Sequence, residues 1–207
     1  MKKLLLSALC FFSLQMFAQV EIELLKPDTT GGQPLMKVLK ERKSARTFDS
    51  KELSLQQLSN LIWAANGINR SNGKRTAPTA VNWQEIEVFV SLKQGIYYYN
   101  ATKHKLLQVN VGDFRKEMGK QKFVGDAPVV MVFVANYASM KGASEKDKEF
   151  YSATDVGNVS QNVYLFCASE GLNTVVLGMV DKENVAKLLK LPAEQKVLLT
   201  QPVGFPK

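Results

Sequence analysis

Pro128 to Ala135 is an unbroken apolar run, rich in valine and of strand length. A strand without a polar face must be covered on both sides, so this one predicts the centre of a sheet. The rest of the chain has to supply the cover. Ile86-Glu87-Val88-Phe89-Val90 alternates like a half-buried strand. Gly95 to Tyr99 and Leu106 to Val109 pair as a hairpin, with the single histidine, His104, in the turn region. Thr174 to Leu177, closed by Gly178, and Val197 to Leu199 read as further strands.

Helices fall between these strands without a strict alternation. Pro34 opens one, followed by Leu35, Val38, Leu39 and Arg42 at helical spacing. Ser54-Leu55-Gln56-Gln57 is a capping box ahead of Leu58, Leu61, Ile62 and Ala65, with Gly67 as the stop. Trp63 in this helix fits core packing better than a ligand contact. Asp113 to Val124 predicts a basic helix, Thr154 to Glu170 a long helix ended by Gly171, and Val185 to Leu189 a short one before Pro192. Tyr137 to Phe150 is polar and lysine-rich, and predicts a mobile surface segment. The order argues for an α+β fold rather than a doubly wound sheet.

The first 18 residues read as a secretory signal peptide. Met1-Lys2-Lys3 is a basic start, Leu4 to Phe17 is apolar but too short to span a bilayer, and Ala18 offers a small residue for cleavage. Residues 19–33 follow as an extended lead-in, and 34–207 form one domain, a length that can bury a proper core. The predicted location is therefore outside the cytoplasm, periplasmic or extracellular. Cleavage removes Cys10 and leaves Cys167 alone, so no internal disulfide can form. Cys167 sits in an apolar helical run, where an inert buried thiol is expected.

The formal charge is +8, and loss of Lys2 and Lys3 lowers it by two. Diffuse basicity of this size suits a phosphate-bearing ligand or an acidic surface. There is no dense basic block and no nucleic-acid motif, which argues against DNA or RNA. A lone histidine with no partner at ligand spacing argues against a metal. No G-x-G-x-x-G or P-loop is present, so a nucleotide would need another cradle.

Arg42-Lys43-Ser44-Ala45-Arg46-Thr47-Phe48 concentrates three cations and two hydroxyls behind the first helix. Such a group can hold a phosphate and keep a cation for a second task. Taken alone, a solvated basic loop is the better reading. Arg75-Thr76-Ala77-Pro78-Thr79-Ala80-Val81-Asn82 lies in a loop longer than most connections, and long loops are often functional.

Together these segments resemble the FMN-dependent nitroreductase family over about residues 34–206. Arg42 to Phe48 is similar to the family's R-x-S-x-[RK]-x-F, and Pro78 to Gln84 to its P-S-S-x-N-x-Q loop. Asp155 to Asn162 resembles the head of its central helix, Leu177 to Asp181 its flavin-edge segment, and Pro202 to Pro206 its last strand. Leu53 to Gly67, Arg75 to Pro78 and Gly95 to Tyr99 resemble the branch that includes the azoline-peptide oxidases.

The resemblance implies a mainly antiparallel sheet flanked by helices, and a homodimer with two FMN sites at its interface. Arg42 and Ser44 would hold the phosphate, with Lys43 as a further cation. Arg46 would stand near N1 and O2 of the ring, where a guanidinium stabilises the negative charge of the reduced form. Pro78, Thr79, Ala80 and Asn82 would line the flavin from the other subunit. Leu177 and Gly178 would lie at its edge, with the Gly178 N–H facing N5. Many family members continue past the last strand with a basic arm to the phosphate. This sequence ends at Lys207, so the resemblance leaves two readings: a weaker phosphate clamp without the arm exchange that reinforces the dimer, or Lys43 or Lys207 in the arm's place.

The activity implied is hydride transfer through flavin N5 in ping-pong order, to an acceptor such as a nitro compound or quinone. The donor is left open, because NAD(P)H is not expected at useful levels outside the cytoplasm. The alternative is a non-catalytic flavin-binding or scavenging protein on the same fold.

Overall fold

The computed structural model describes residues 20–207. The predicted signal peptide and cleavage site lie outside them. Among the described residues seven strands form one sheet: β1 (Glu21–Glu23), β2 (Ile86–Leu92), β3 (Gly95–Asn100), β4 (Lys105–Val111), β5 (Val129–Asn136), β6 (Asn173–Thr174) and β7 (Gln195–Gly204). Their order is β1-β4-β3-β2-β5-β7-β6. Every ladder is antiparallel. Four α-helices of the described residues accompany them: α1 (Leu35–Glu41), α2 (Leu55–Asn66), α3 (Glu145–Glu170) and α4 (Lys182–Leu188).

The apolar run is the middle of this sheet. Phe133 of β5 stands opposite Val88 of β2 on one side and Leu199 of β7 on the other. Because side chains alternate, one strand feeds two cores. Met131, Phe133 and Ala135 pack with Leu61 and Ile62 of α2 and with Val159 and Val163 of α3. Val130, Val132 and Val134 pack on the opposite face with Met118, Val124, Leu177 and Val185. The result is a sheet with the long helices on one side and a thinner layer on the other.

Local chemistry explains most helix ends. The Ser54 hydroxyl accepts the Gln57 N–H, and the Gln57 side chain accepts the Ser54 N–H, as the capping box requires. Gly171 closes α3 in the left-handed conformation, φ 67°. Gly67 closes α2 differently. Its φ is −77°, and a Cβ there would come within 2.3 Å of Trp63 Cδ1, so it is close approach rather than handedness that demands glycine.

Three expectations change. The long helix begins at Glu145, not Thr154, and takes in much of the segment expected to be a mobile surface stretch. Ser144 caps it by accepting the Asp147 N–H, and Glu145 and Asp147 place negative charge in the first turn. The basic helix expected over Asp113–Val124 is replaced by two short 3₁₀ turns, Arg115–Met118 and Lys122–Asp126. Gly119 separates them in an extended conformation, pressed against Val124 and Leu177. The strand expected over Thr174–Leu177 is regular only at Asn173–Thr174, with Leu177 making a separate bridge to Thr200.

Candidate active site

The basic cluster follows α1 as an extended segment, and one side chain of α3 organises it. The Tyr164 phenol lies 2.8 Å from the Ser44 hydroxyl and accepts the Val176 N–H at 2.9 Å. The Arg42 guanidinium sits over the Tyr164 ring, 5.1 Å from its centre. The Ala45 N–H donates to the Thr174 carbonyl, and Asn173 donates to that of Thr47. Phe48 is buried and anchors the far end. The segment is thus tied to the strand that leads to Gly178.

Arg42 is half-buried, whereas Lys43, Ser44 and Arg46 are exposed. None of the ion pairs among the described residues involves Arg42, Lys43 or Arg46. Three cations without a carboxylate partner, next to a fixed hydroxyl, form a donor set suited to a phosphate and an anionic ring edge. An adjoining recess of about 470 Å³ is lined by Lys43, Tyr164, Asn173 and Thr174 rather than by Arg42 or Arg46.

Leu177 is buried, and its N–H and carbonyl both pair with Thr200. This pairing holds the chain where it delivers Gly178 to the surface. At Gly178 a Cβ would meet only Leu199 Cδ2, at 3.8 Å, so space lies in front of this backbone.

The second set of residues sits elsewhere. The Ala80 N–H donates to Asp155 Oδ2 at 2.8 Å, and Asn158 donates to the Pro78 carbonyl. The Thr79 hydroxyl accepts the Gln84 N–H. Arg75 clamps the base of the loop through the Asn66 carbonyl and the Gln84 side chain. Val81, Asn82 and Gln84 have φ of 47°, 58° and 50°. Left-handed backbone is unusual for a β-branched valine, and is kept only where surrounding contacts enforce it. Asp155 and Tyr164 are nine residues apart on α3, about 14 Å along the axis. Within one chain, then, Arg42–Arg46 are tied through Tyr164 and Thr174 to the segment that precedes Gly178, whereas Pro78–Asn82 are bonded to Asp155 and Asn158, nearer the start of α3.

Two residues central to this geometry carry no local signal in the sequence. Tyr164 looks like one more core position of α3, and Glu85, buried at the foot of the Pro78 loop, like a strand flank. Asp155, by contrast, lies in a segment already matched to the family's helix head. The other outlying features are structural. His104 bonds the Tyr99 hydroxyl and the Leu25 carbonyl. Cys167 is buried, and burial pushes its thiol pKa up. Trp63 donates to the Ile68 carbonyl and lines a groove of about 570 Å³ with Leu35, Asn162 and Phe166.

Comparison with known proteins decides the family. The pattern of the nitroreductase family matches residues 39–205. The chain belongs to the nitroreductase family. A candidate nitroreductase of Methanocaldococcus jannaschii is 31% identical over 177 residues, covering 81% of this chain and 88% of its own. A crystal structure of a candidate nitroreductase from Ralstonia eutropha superposes with a TM-score of 0.86 at 42% identity, covering 90% of each chain. A chain of the Escherichia coli microcin synthetase complex, solved with a truncated pro-microcin bound, shares the fold at TM-score 0.70 and 18% identity, covering 99% of this chain and 85% of its own. As a nitroreductase-family protein the chain falls among oxidoreductases whose members generally bind flavin. Among the described residues no helix is long and apolar enough to cross a membrane.

Proposed function

We propose that this protein is an exported FMN-dependent oxidoreductase that acts as a homodimer on a small-molecule substrate. The observation that carries the reading is the cluster of unpaired cations that Tyr164 ties to the approach of Gly178. Arg42 and Ser44 hold the phosphate. Tyr164 fixes both, by its ring face and its hydroxyl. Lys43 adds positive charge at the rim.

Arg46, exposed and without a carboxylate partner, is free to turn to the ring and stabilise negative charge there. Gly178 offers a backbone N–H at the ring edge whatever its side chain. When bound, FMN supplies hydride and electron chemistry between a donor and an acceptor such as a nitro compound or quinone, in ping-pong order. The chain's own work is to hold, orient and tune it.

The separation of Pro78–Asn82 from Arg42–Arg46 supports a second copy bringing its loop to this site. Leu35, Met36 and Leu39 on α1, together with Val81, Phe150 and Met179, are large apolar side chains exposed in the single chain. Such a surface suits burial against a partner. Export rests on the reading of Met1 to Ala18, and it leaves the physiological donor open.

The test is the absorption spectrum of the purified mature protein, with NADH and NADPH titrated in without oxygen. A yellow protein that bleaches and recovers with acceptor is the expected result. A yellow protein that neither donors nor dithionite-coupled acceptors can cycle would be a flavin carrier instead. A colourless protein that does not take up added FMN would end the flavin reading.

A further inference from the structure

Glu85 stands between the Pro78 loop and β2. It is fully buried, and neither of its carboxylate oxygens has a hydrogen-bond partner. An ionised carboxylate in that position would be heavily penalised. The nearest remedy is Asp155 on α3, a buried acid, 4% exposed, whose charge bears on Glu85. Two carboxylates cannot bond each other. A neutral carboxyl and a carboxylate can, because the first has an O–H to give and the second has lone pairs to spare. Asp155 already spends one of these on the Ala80 N–H.

We propose that Glu85 is a positioning residue for the flavin site: it stays neutral in the fold, donates its O–H to Asp155, and so keeps Asp155 aimed at the Ala80 amide. The loop it serves needs such a clamp. Val81 and Asn82 follow Ala80 directly in left-handed conformations, and Asp155 and Asn158 are the α3 side chains bonded to the Pro78–Asn82 backbone. Loss of the proton sets two buried negative charges against each other and pushes Asp155 off the amide.

The surroundings leave the pair to itself. From α3 the charged group acting on Glu85 is Asp155. On the β5 side its neighbour is Asn136, whose N–H donates to the Glu85 backbone carbonyl. On β2, Glu87 is held by Asn136 and Gln195, and the field of Arg75 acts on Glu87. Burial first, and then the charge and hydrogen bond of Asp155, push the pKa of Glu85 up to about 7. The clamp is therefore poised to loosen near neutral pH. That the loop meets flavin is the reading proposed above, whereas the shared proton belongs to the apoprotein.

Two measurements test the inference. Infrared spectra of the apoprotein are recorded on both sides of pH 7 for wild type, Glu85→Gln and Asp155→Asn. The expected result is a protonated-carboxyl stretch in wild type that fades as pH rises and is absent in Glu85→Gln. In Asp155→Asn its midpoint shifts downward, since the neighbouring charge is gone. Identical spectra for wild type and Glu85→Gln overturn the proposal.

FMN binding is then followed by fluorescence quenching over the same range. Relative to Glu85→Gln, which keeps a donor at every pH, wild type loses about tenfold in affinity as the proton leaves. Glu85→Ala is weak throughout. Parallel pH profiles for wild type and Glu85→Gln overturn the positioning role. Should none of the proteins take up FMN, it is the flavin reading that fails. Exchange of the Ala80 amide in the apoprotein then decides the clamp, with faster exchange expected in wild type than in Glu85→Gln above pH 7.

Discussion

Tyr164 and Ser44 are 120 positions apart in sequence, and their hydroxyls lie 2.8 Å apart. The same phenol oxygen accepts the Val176 N–H, so one side chain of α3 couples the basic segment to the stretch before Gly178. Tyr164→Phe keeps the ring under Arg42 and removes both hydrogen bonds. It leaves the Val176 N–H without its partner, at about 1–3 kcal/mol. The expected outcome is that loss in urea unfolding, with FMN retained but bound roughly tenfold more weakly. Tyr164→Leu, which also removes the cation–π contact, should bind more weakly still.

Arg42 and Arg46 should separate in their effects. Arg42 is held over the Tyr164 ring, and on the proposed reading it serves the phosphate, so Arg42→Ala should mainly weaken FMN retention. One charged hydrogen bond is worth roughly 1.5–3 kcal/mol, about ten- to a hundredfold in affinity. Arg46→Ala should leave more FMN bound but slow its reduction or shift its potential. Equal affinities and equal reduction kinetics in wild type and both variants would remove the division of labour.

Two glycines should respond in opposite ways. At Gly178 an added Cβ meets only Leu199 Cδ2, at 3.8 Å. Gly178→Ala is therefore expected to melt within about 0.5 kcal/mol of wild type, and to keep its reduction by donor because the backbone N–H remains. At Gly67 an added Cβ falls 2.3 Å from Trp63 Cδ1 and 2.8 Å from Trp63 Cα. The backbone atom cannot swing away, so Gly67→Ala should cost roughly 1–3 kcal/mol. Thermal melts of the two variants side by side check this.

How far the sequence could be read depended on where each residue's partner lay. β5 was legible because Met131, Phe133 and Ala135 serve one core and Val130, Val132 and Val134 the other, which leaves a run of strand length with no polar face. The Ser54 box and the Gly171 stop were legible because their partners are three or four residues away. The start of α3 was not, because Glu145 to Thr154 is polar enough to hide the helical period, and Ser152 and Asp155 are buried where a solvated face would be expected. The resemblance correctly pointed to the family and the fold class. It drew attention to Arg42–Arg46, Pro78–Asn82 and Gly178; the first stretch is tied through Tyr164 to the segment before Gly178, and the second to Asp155 and Asn158 of α3. It could not reveal Tyr164 or Glu85, whose importance arises only from contacts made across the fold.

The buried carboxyl pair also predicts a stability profile. The ordinary pKa of a glutamate is 4.5, and in the fold Glu85 is raised to about 7 by burial and by Asp155. Below the lower value both folded and unfolded chains hold the proton, and Glu85 imposes no penalty. Between the two values the folded chain binds more protons than the unfolded one, so stability falls as pH rises. Above the higher value the penalty is complete and constant. Every tenfold gain in proton affinity on folding corresponds to about 1.4 kcal/mol, and relaxation around the pair should trim the total to roughly 1–3 kcal/mol. Urea unfolding of the apoprotein on both sides of this window measures it. Glu85→Gln, which cannot ionise, should lack this fall, so the difference between the two proteins should grow as pH rises and then level off. A constant difference across the window would mean that Glu85 is ionised in the fold, with Asp155 as its neighbour and no shared proton.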